Sequence, residues 1–193
     1  FLTEQPEYRQ RLGRATNGLD CHAIMQAVYD EAARRRVRKL FVFAYASLAY
    51  ANDNSGEQLA RDLEYTVRQY ARIGVHVYVV KEIPQQMQLL GRPVELVYKR
   101  LAAIGQLSDH VLKWNYSLTR AEREKQVEQV ERVYAKYYSS AIGNNSKSDI
   151  AEKVTFVEVD DLLCDKEHCP IGTIRAALYS DRRHLTIYGT MLL

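Results

Sequence analysis

Asp181 and His184 stand three residues apart, in a polar run that separates two apolar segments near the C-terminal end of the sequence. A carboxylate beside an imidazole can fix the tautomer of the ring and stabilise the imidazolium that forms when the ring accepts a proton. The pair is therefore a candidate base and orienting acid for nucleophilic catalysis. The same spacing is typical of an aspartate that caps a turn beside a surface histidine. Spacing alone leaves both interpretations open.

A catalytic base needs a nucleophile, and Ser47 is the candidate that the strand pattern offers. It follows an apolar run that predicts a strand, as the serine of a strand-to-helix turn does. It lacks the flanking glycines that allow a serine to sit on so tight a turn. We therefore assign no nucleophile from the residues alone.

The cysteines bear on the compartment of the protein. Cys164 and Cys169 enclose four residues, among them His168, shortly before the Asp181 segment. A disulfide between them would close and stiffen a small loop. The alternatives are a metal site that uses His168 as a third ligand, one fewer than zinc normally has, and two reduced thiols in a cytosolic protein. If the bridge forms, Cys21 is either buried and free or paired with a cysteine outside this chain.

Composition narrows the class of protein. The 193 residues, of which 47% are hydrophobic and 26% charged, predict one globular domain over residues 1–193. The net charge of +3 comes from interspersed charges, and the densest basic run, Arg34–Lys39, falls at a predicted helix end, so we predict no nucleic-acid partner. No stretch has the roughly 20 apolar residues of a membrane span. We predict no signal peptide, cofactor or metal.

The elements that must position these residues follow from hydrophobic patterns. The apolar run Leu40–Ala46 is continuous, which predicts a strand buried on both faces of a parallel sheet. A helix over Glu57–Ile73, ended by Gly74, and a strand over Val75–Val80 complete a strand–helix–strand unit. Val154–Val159 predicts a third parallel strand. Ligands of open α/β sheets bind beyond the carboxyl ends of the strands, so the loops after the first two strands are candidate site loops.

Other helices follow from apolar stripes at helical spacing. One is predicted over Cys21–Arg36 with Asp20 as its N-cap, and another over Pro93–Gly105. The longest should begin at Thr119 or the next residue and end near Ser140. The residues predicted to face the core of the four helices, in chain order, are Ile24, Ala27, Val28 and Ala32; Leu59, Leu63, Val67 and Tyr70; Val94, Val97, Leu101 and Ile104; and Val127, Val130, Tyr134 and Tyr137.

The residues outside these apolar stripes predict a capping box and three loops. Thr119 and Glu122 form a capping-box pattern at the start of the longest helix. Loops are predicted for residues 1–20, for 144–148 and for 109–117, the last holding His110 and Trp114 at the surface.

The string D-x-x-H-L-T at Asp181–Thr186, followed by an aromatic residue and Gly189, resembles the last block of the SGNH hydrolase family. It is most similar to the extracytoplasmic SGNH domain of acyltransferase-3 type membrane O-acyltransferases, which typically show D-x-x-H-L-S and then a glycine. Thr186 replaces the usual serine. These domains often carry a C-x4-C just upstream, as Cys164 and Cys169 do here. The resemblance covers most of the chain, and its specific content is these two motifs.

The resemblance implies an α/β fold of three layers, a flavodoxin-like parallel sheet with helices on both faces. It implies a Ser-His-Asp triad in which His184 moves the proton and Asp181 orients His184. It also favours the bridge between Cys164 and Cys169 and hence a periplasmic location, tethered to the inner membrane in the full-length protein.

The same resemblance implies a function. The expected chemistry is acyl transfer or ester hydrolysis on O-acyl groups, in particular O-acetyl groups, of a cell-envelope polysaccharide. The expected partners are a glycan acceptor, an acyl donor and a membrane acyltransferase domain in the same full-length chain.

Besides Thr186, the sequence departs from the family pattern in three ways. The run Ala44–Ser47 stands where A-x-R-W is common, so the family's substrate contacts there are not carried over. Asn52-Asp53 echoes the G-x-N-D block of the oxyanion-hole asparagine, but Tyr50 takes the glycine position and such clusters are typical of turns. No G-D-S-H-like block, which carries the family's nucleophile, is present. We therefore expect a chain truncated at its N-terminus or at both termini, or else a catalytically inactive descendant.

Two alternatives to an enzyme stay open. One is a non-catalytic glycan-binding or accessory domain that keeps the fold without the serine. The other is a cytosolic α/β regulator in which Asp181 and His184 form only a capped turn.

Overall fold

The computed structural model describes residues 21–43, 45–86, 94–142 and 151–193. The chain folds into two compact units, one made of Phe1–Lys81 and Gln129–Val157, the other of Glu82–Glu128 and Glu158–Leu193. The prediction of one domain over residues 1–193 stays a prediction, because compact units can also occur within a single domain. The loops predicted for residues 1–20 and 144–148, and the cap at Asp20, lie outside the described residues.

Helices and strands are interspersed along the described chain. In chain order they are α1 (Cys21–Arg34), β1 (Lys39–Phe43), α2 (Ala46–Ala49), α3 (Glu57–Arg72), β2 (His76–Val80), α4 (Val94–Ala103), α5 (Asp109–Tyr116), β3 (Leu118–Thr119), α6 (Arg120–Ile142), a 3-10 turn (Ala151–Lys153), β4 (Val154–Val157), α7 (Asp160–Leu163), β5 (His168–Cys169) and α8 (Ile187–Thr190).

The first unit is built on a parallel sheet of β1, β2 and β4, with β2 in the centre. Leu40 pairs with Val77, and Val77 with Val154, so these side chains share one face. That face packs on a hydrophobic core to which α3 and α6 contribute. Buried members of this core include Leu59, Leu63, Val67, Tyr70, Val77, Val79, Val133 and Tyr134. The prediction of an α/β fold with parallel strands and of the buried face of α3 is confirmed.

The prediction that the first strand is buried on both faces is wrong. Leu40 and Val42 of β1 face the core, but Phe41 and Phe43 are 53% and 71% exposed. The reason is position, since β1 is the edge of the described sheet and its alternate side chains point to the other face. Phe41 is stacked on Tyr78 of β2, with ring centroids 4.8 Å apart.

The predicted buried face of α1 is correct at Ala32 and wrong at Ile24, Ala27 and Val28. Ile24 and Val28 are exposed, whereas Met25 and Tyr29 pack on the core beside the buried Ala32. Met25, Tyr29 and Ala32 follow one another at spacings of four and three, which is equally a helical face. The Tyr29 ring contacts that of Tyr70 at 5.4 Å between centroids. Burying this larger aromatic side chain is more favourable than burying the aliphatic side chains of Ile24 and Val28.

The second unit has its own core, and α4 contributes Val94 and Leu101 to it as predicted. Ile104 is exposed because α4 ends at Ala103. β3 and β5 form a two-stranded antiparallel pair, in which Leu118 lies opposite Cys169. Buried members of this core are Val94, Leu101, Leu112, Ile171, Leu178 and Tyr179.

The loop predicted over residues 109–117 is instead helix α5. The Ser108 side chain accepts a hydrogen bond from the backbone N–H of Val111 at 3.2 Å, a typical N-cap, and Leu112 is buried on the inner side. Trp114 is exposed on the outer side, where its ring meets the edge of the buried His168 ring at 4.5 Å.

The capping box at the start of α6 is confirmed. The Thr119 N–H donates to Oε2 of Glu122 at 2.9 Å, and the Glu122 N–H donates to Oγ1 of Thr119 at 3.2 Å. The backbone and hydroxyl bonds from Thr119 hold the pKa of Glu122 below its usual value. Further along α6, Val127, Val130 and Tyr134 are buried as predicted.

Two glycines that flank α3 provide a matched test of this packing. Gly56 and Gly74 both have positive φ, so alanine at either position should cost about 1–2 kcal/mol of unfolding free energy. At Gly56 the new Cβ would also lie 2.5 Å from Cγ2 of Val133, which should add about 1–3 kcal/mol. At Gly74 the nearest atom is 3.8 Å away. Chemical denaturation should therefore rank Gly56→Ala clearly below Gly74→Ala. Equal losses would contradict the tight contact between α3 and α6.

Candidate functional site

Asp181 begins a tight turn and contacts His184 directly. Its Oδ1 accepts hydrogen bonds from the backbone N–H groups of Arg183 at 2.8 Å and of His184 at 2.9 Å. Its Oδ2 lies 2.8 Å from Nδ1 of the His184 ring. One carboxylate therefore caps the turn and orients the imidazole.

The protonation states follow from these bonds. Partial burial raises the pKa of Asp181, but the hydrogen bonds from the Arg183 N–H and from the His184 ring and N–H together outweigh it, so the pKa lies below its usual value. Asp181 is thus a carboxylate at neutral pH, and Nδ1 of His184 carries the hydrogen that faces it. This leaves the Nε2 lone pair to accept a proton. The His184 side chain is 73% exposed, so solutes can reach Nε2.

The chain on either side of the turn holds it at the rim of the second core. Tyr179 and Leu185 form an antiparallel bridge, and the Ser180 N–H donates to the His184 carbonyl at 2.8 Å. Tyr179 is fully buried, and Leu185 packs against the same core. The exposed polar turn therefore stands on two anchored apolar residues.

Thr186 and Gly189, which follow the Asp181–His184 turn, are also fixed by contacts with residues nearby in the sequence. The Thr186 hydroxyl accepts from the Gly189 N–H at 3.0 Å, which caps α8, and donates to the Ala177 carbonyl at 2.7 Å. A Cβ at Gly189 would lie 2.2 Å from the Leu178 carbonyl oxygen, so a larger residue does not fit. Serine and threonine both supply the hydroxyl, which accounts for Thr186 at a position where serine is usual.

Two backbone hydrogen bonds from residues far away in the sequence stabilise the turn. The backbone N–H of Gln86 donates to the Arg182 carbonyl at 2.9 Å, and that of Val94 donates to the Ser180 carbonyl at 3.0 Å. Gln86 is fully buried. The carbonyls on both sides of Asp181 are thus paired with backbone from the segment that follows β2.

Cys164 and Cys169 form a disulfide, so of the three interpretations of these cysteines the bridge is the one that the structure supports. Inside the loop, Asp165 accepts from the N–H groups of Glu167 and His168, both at 2.8 Å, and its Oδ2 pairs with Nζ of Lys113 at 2.9 Å. Lys113 and then these backbone N–H groups lower the pKa of Asp165 to about 2.

The comparisons with known proteins identify the family. Residues 6–193 match the model described as the SGNH domain, fused to AT3 domains. The chain belongs to this SGNH family. Membership supports a hydrolase-like or acyltransferase-like function in general, and AT3 domains are membrane acyltransferases. The resemblance predicted from the two motifs is confirmed.

The other comparisons add no relative. No curated protein and no solved structure gives a significant match to the chain. In the part of the SGNH chain that the structure describes, no helix combines the length and hydropathy that a membrane span requires.

The remaining candidates lie in the first unit. Ser47 is in α2, and Asn52 is in the turn that follows it. In that turn Asp53 accepts from the Leu59 N–H at 3.0 Å, so the polar cluster caps α3, in agreement with its interpretation as a turn. Tyr50, at the family's glycine position, is buried and donates to Oδ2 of Asp62 at 2.8 Å.

Gln86 is the residue of the site region that the sequence did not reveal. It lies in no motif, and its partners are more than 30 residues away along the chain. A possible signal was a polar residue in the short segment Lys81–Gln86, which follows a buried strand. Nothing in that signal identifies the partners.

The Thr186 hydroxyl can be tested by two substitutions. Thr186→Val removes a cap and a hydrogen bond at nearly constant volume and should lower the free energy of unfolding by about 1–2 kcal/mol. Thr186→Ser keeps both bonds and should change it by less than about 0.5 kcal/mol. Chemical denaturation measures both values. Similar losses for serine and valine would show that packing of the methyl group, and not the hydroxyl, matters at this position.

Asp165 predicts a dependence of stability on pH. Its folded-state pKa lies below the unfolded value of about 3.9, so its contribution is present above about pH 4 and is lost as the pH falls towards 2. Asp165→Asn can still accept from both N–H groups but loses the Lys113 pair. Since the side chain is 47% exposed, we expect a loss of about 1 kcal/mol at pH 7.

The loss in Asp165→Asn should shrink as the pH is lowered from 5 to 3, as measured by urea denaturation at each pH. Glu124→Gln, an exposed substitution in the same unit, serves as the control and should show no such trend. A loss for Asp165→Asn that does not vary with pH would contradict the role of the ion pair.

Proposed function

We propose that this SGNH domain takes part in acyl transfer or ester hydrolysis on O-acyl groups, in particular O-acetyl groups, of a cell-envelope polysaccharide. Within it, His184 is the general base and acid, and Asp181 is the residue that orients it. The observation that carries this proposal is the 2.8 Å contact between Oδ2 of Asp181 and Nδ1 of His184, which turns Nε2 towards solvent-accessible space. Family membership supports the class of reaction.

The proposed reaction needs a serine hydroxyl near Nε2. As the serine oxygen bonds to the ester carbonyl carbon, Nε2 of His184 takes the hydroxyl proton, and Asp181 stabilises the resulting imidazolium. When the tetrahedral intermediate collapses, this proton passes to the leaving alcohol oxygen and an acyl-enzyme remains. A glycan hydroxyl then receives the acyl group in transfer, or water receives it in hydrolysis, by the same steps in reverse.

The proposed setting is the periplasm, where the domain would act beside a membrane acyltransferase. The disulfide between Cys164 and Cys169 supports this setting, because such bridges persist in oxidising compartments. The family's fusion to AT3 domains supports the membrane partner. The glycan acceptor and the acyl donor are proposed on the chemistry of O-acylation.

His184→Ala in the intact protein tests the assignment. Without the base, release of acetate from a model acetate ester should fall by at least about 100-fold, while the circular dichroism spectrum and unfolding midpoint stay close to those of the unchanged protein. His110→Ala is the matched control, since His110 is an exposed histidine of the same unit, and it should keep full turnover.

Two results would count against the proposal. Undiminished turnover in His184→Ala would remove His184 from the chemistry. An intact protein that releases no acetate from model or polysaccharide esters would contradict an enzymatic function and favour the non-catalytic glycan-binding domain.

A further inference from the structure

Gln86 joins the dyad turn, which is the turn of residues 180–184 that carries Asp181 and His184, to the rest of the second unit. Its side chain is fully buried, and its backbone N–H donates to the Arg182 carbonyl, between Asp181 and His184, at 2.9 Å. This bond ties the interior of the turn to the segment that follows β2.

The carboxamide of Gln86 makes two further bonds of opposite sense. Its Nε2 donates to the Cys169 carbonyl at 2.9 Å, and its Oε1 accepts from the Leu118 N–H at 3.1 Å. Leu118 and Cys169 are partners in the β3–β5 pair. The carboxamide donates to one strand and accepts from the other, so the side chain clamps Gln86 to both strands.

The segment that leads to Gln86 is also held by two side chains of α6, the buried Arg123 and the partly buried Gln126. The Arg123 guanidinium, which pairs with Asp160 at 3.0 Å, donates to the Glu82 carbonyl. The Gln126 amide donates to the Gln85 carbonyl at 2.8 Å. The backbone that presents the Gln86 N–H therefore has little freedom to move.

From this geometry we infer that Gln86 is a positioning residue for the Asp181–His184 dyad. It connects the hydrogen-bonded β3–β5 pair, whose Cys169 also forms the disulfide with Cys164, to the Arg182 carbonyl, and so keeps the Asp181 carboxylate aligned with the His184 ring. The inference deepens the proposed function and rests on it for the meaning of the dyad. The orientation of the His184 ring is nevertheless observable without catalysis.

Two substitutions remove the clamp in different ways. Gln86→Met keeps the length of the side chain and Gln86→Leu shortens it, and each removes both side-chain bonds. Ser117→Ala is the matched control. The Ser117 hydroxyl is also buried in this unit and bonds the Leu112 carbonyl and the Ile171 N–H, so its loss should weaken the fold without touching residues 180–184.

The principal measurement is NMR of the His184 imidazole nitrogens in the 193-residue chain. In the unchanged protein the ring should be held in the tautomer with hydrogen on Nδ1. In both Gln86 variants the nitrogen shifts should move towards those of a free imidazole that exchanges between tautomers, and in Ser117→Ala they should not. Shifts in the Gln86 variants that match the unchanged protein would overturn the inference.

The second readout is kinetic and uses the intact protein. The Gln86 variants should lose about 10- to 100-fold in kcat with little change in KM, since the base is misplaced while the substrate still binds. Ser117→Ala should keep its kcat. If His184→Ala leaves turnover unchanged, the proposed function fails and the NMR result still decides the positioning. If His184→Ala abolishes turnover but the Gln86 variants do not reduce it, the positioning fails alone.

Hydrogen exchange on the unchanged chain covers the case in which the variants do not fold. The backbone N–H groups of Gln86 and Leu118 should exchange slowly and with similar protection, because one clamp holds both. Rapid exchange of the Gln86 N–H, at the rate of an open loop, would overturn the inference.

Discussion

The carboxylate of Asp181 accepts three hydrogen bonds from the two residues Arg183 and His184, and the C-terminal turn depends on them. Capped turn and catalytic dyad first stood as rival interpretations of D-x-x-H. The structure shows that they are compatible, because Oδ1 binds the backbone and Oδ2 binds the ring. A turn that is capped by its aspartate therefore also delivers an oriented histidine.

The string around the dyad is predictable because its constraints are local. Thr186 and Gly189 interact across a single helical turn, and the glycine is required by a carbonyl only 11 residues back in the chain. Such constraints leave a short, regular signature that a single sequence can carry. The contact with Gln86 leaves no signature, since any segment of the chain could in principle supply the donor. The sequence thus predicted the pairing of Asp181 with His184 but not the contact with Gln86.

The same distinction explains the fold. α3, β2 and β4 were predicted because the hydrophobic pattern of each is typical of a single type of secondary structure. β1 has a continuous apolar run, which is typical of a central strand, yet its burial is decided by its place in the strand order, and that is a property of the whole sheet. α1 offers two adjacent stripes, and only packing against Tyr70 selects the one with Tyr29. α5 was missed because a polar, single-tryptophan segment with a Ser108 cap resembles a loop in composition.

The position of the dyad imposes a physical limit on what it can do in the free state. A ring that is 73% exposed lies in a high dielectric, where its bond to Asp181 is weakened by competition with water. In the scaffold behind it, Tyr179 and Gln86 are fully buried, and the partly buried Leu185 packs on the same core as Tyr179. The orientation of the His184 ring is therefore fixed before a substrate binds, whereas its hydrogen bond to Asp181 is still weakened by water. A glycan or another group that covers Nε2 would exclude water and strengthen the same hydrogen bond without moving it. In the proposed reaction the scaffold would thus supply the orientation of His184, and the bound substrate would supply the exclusion of water.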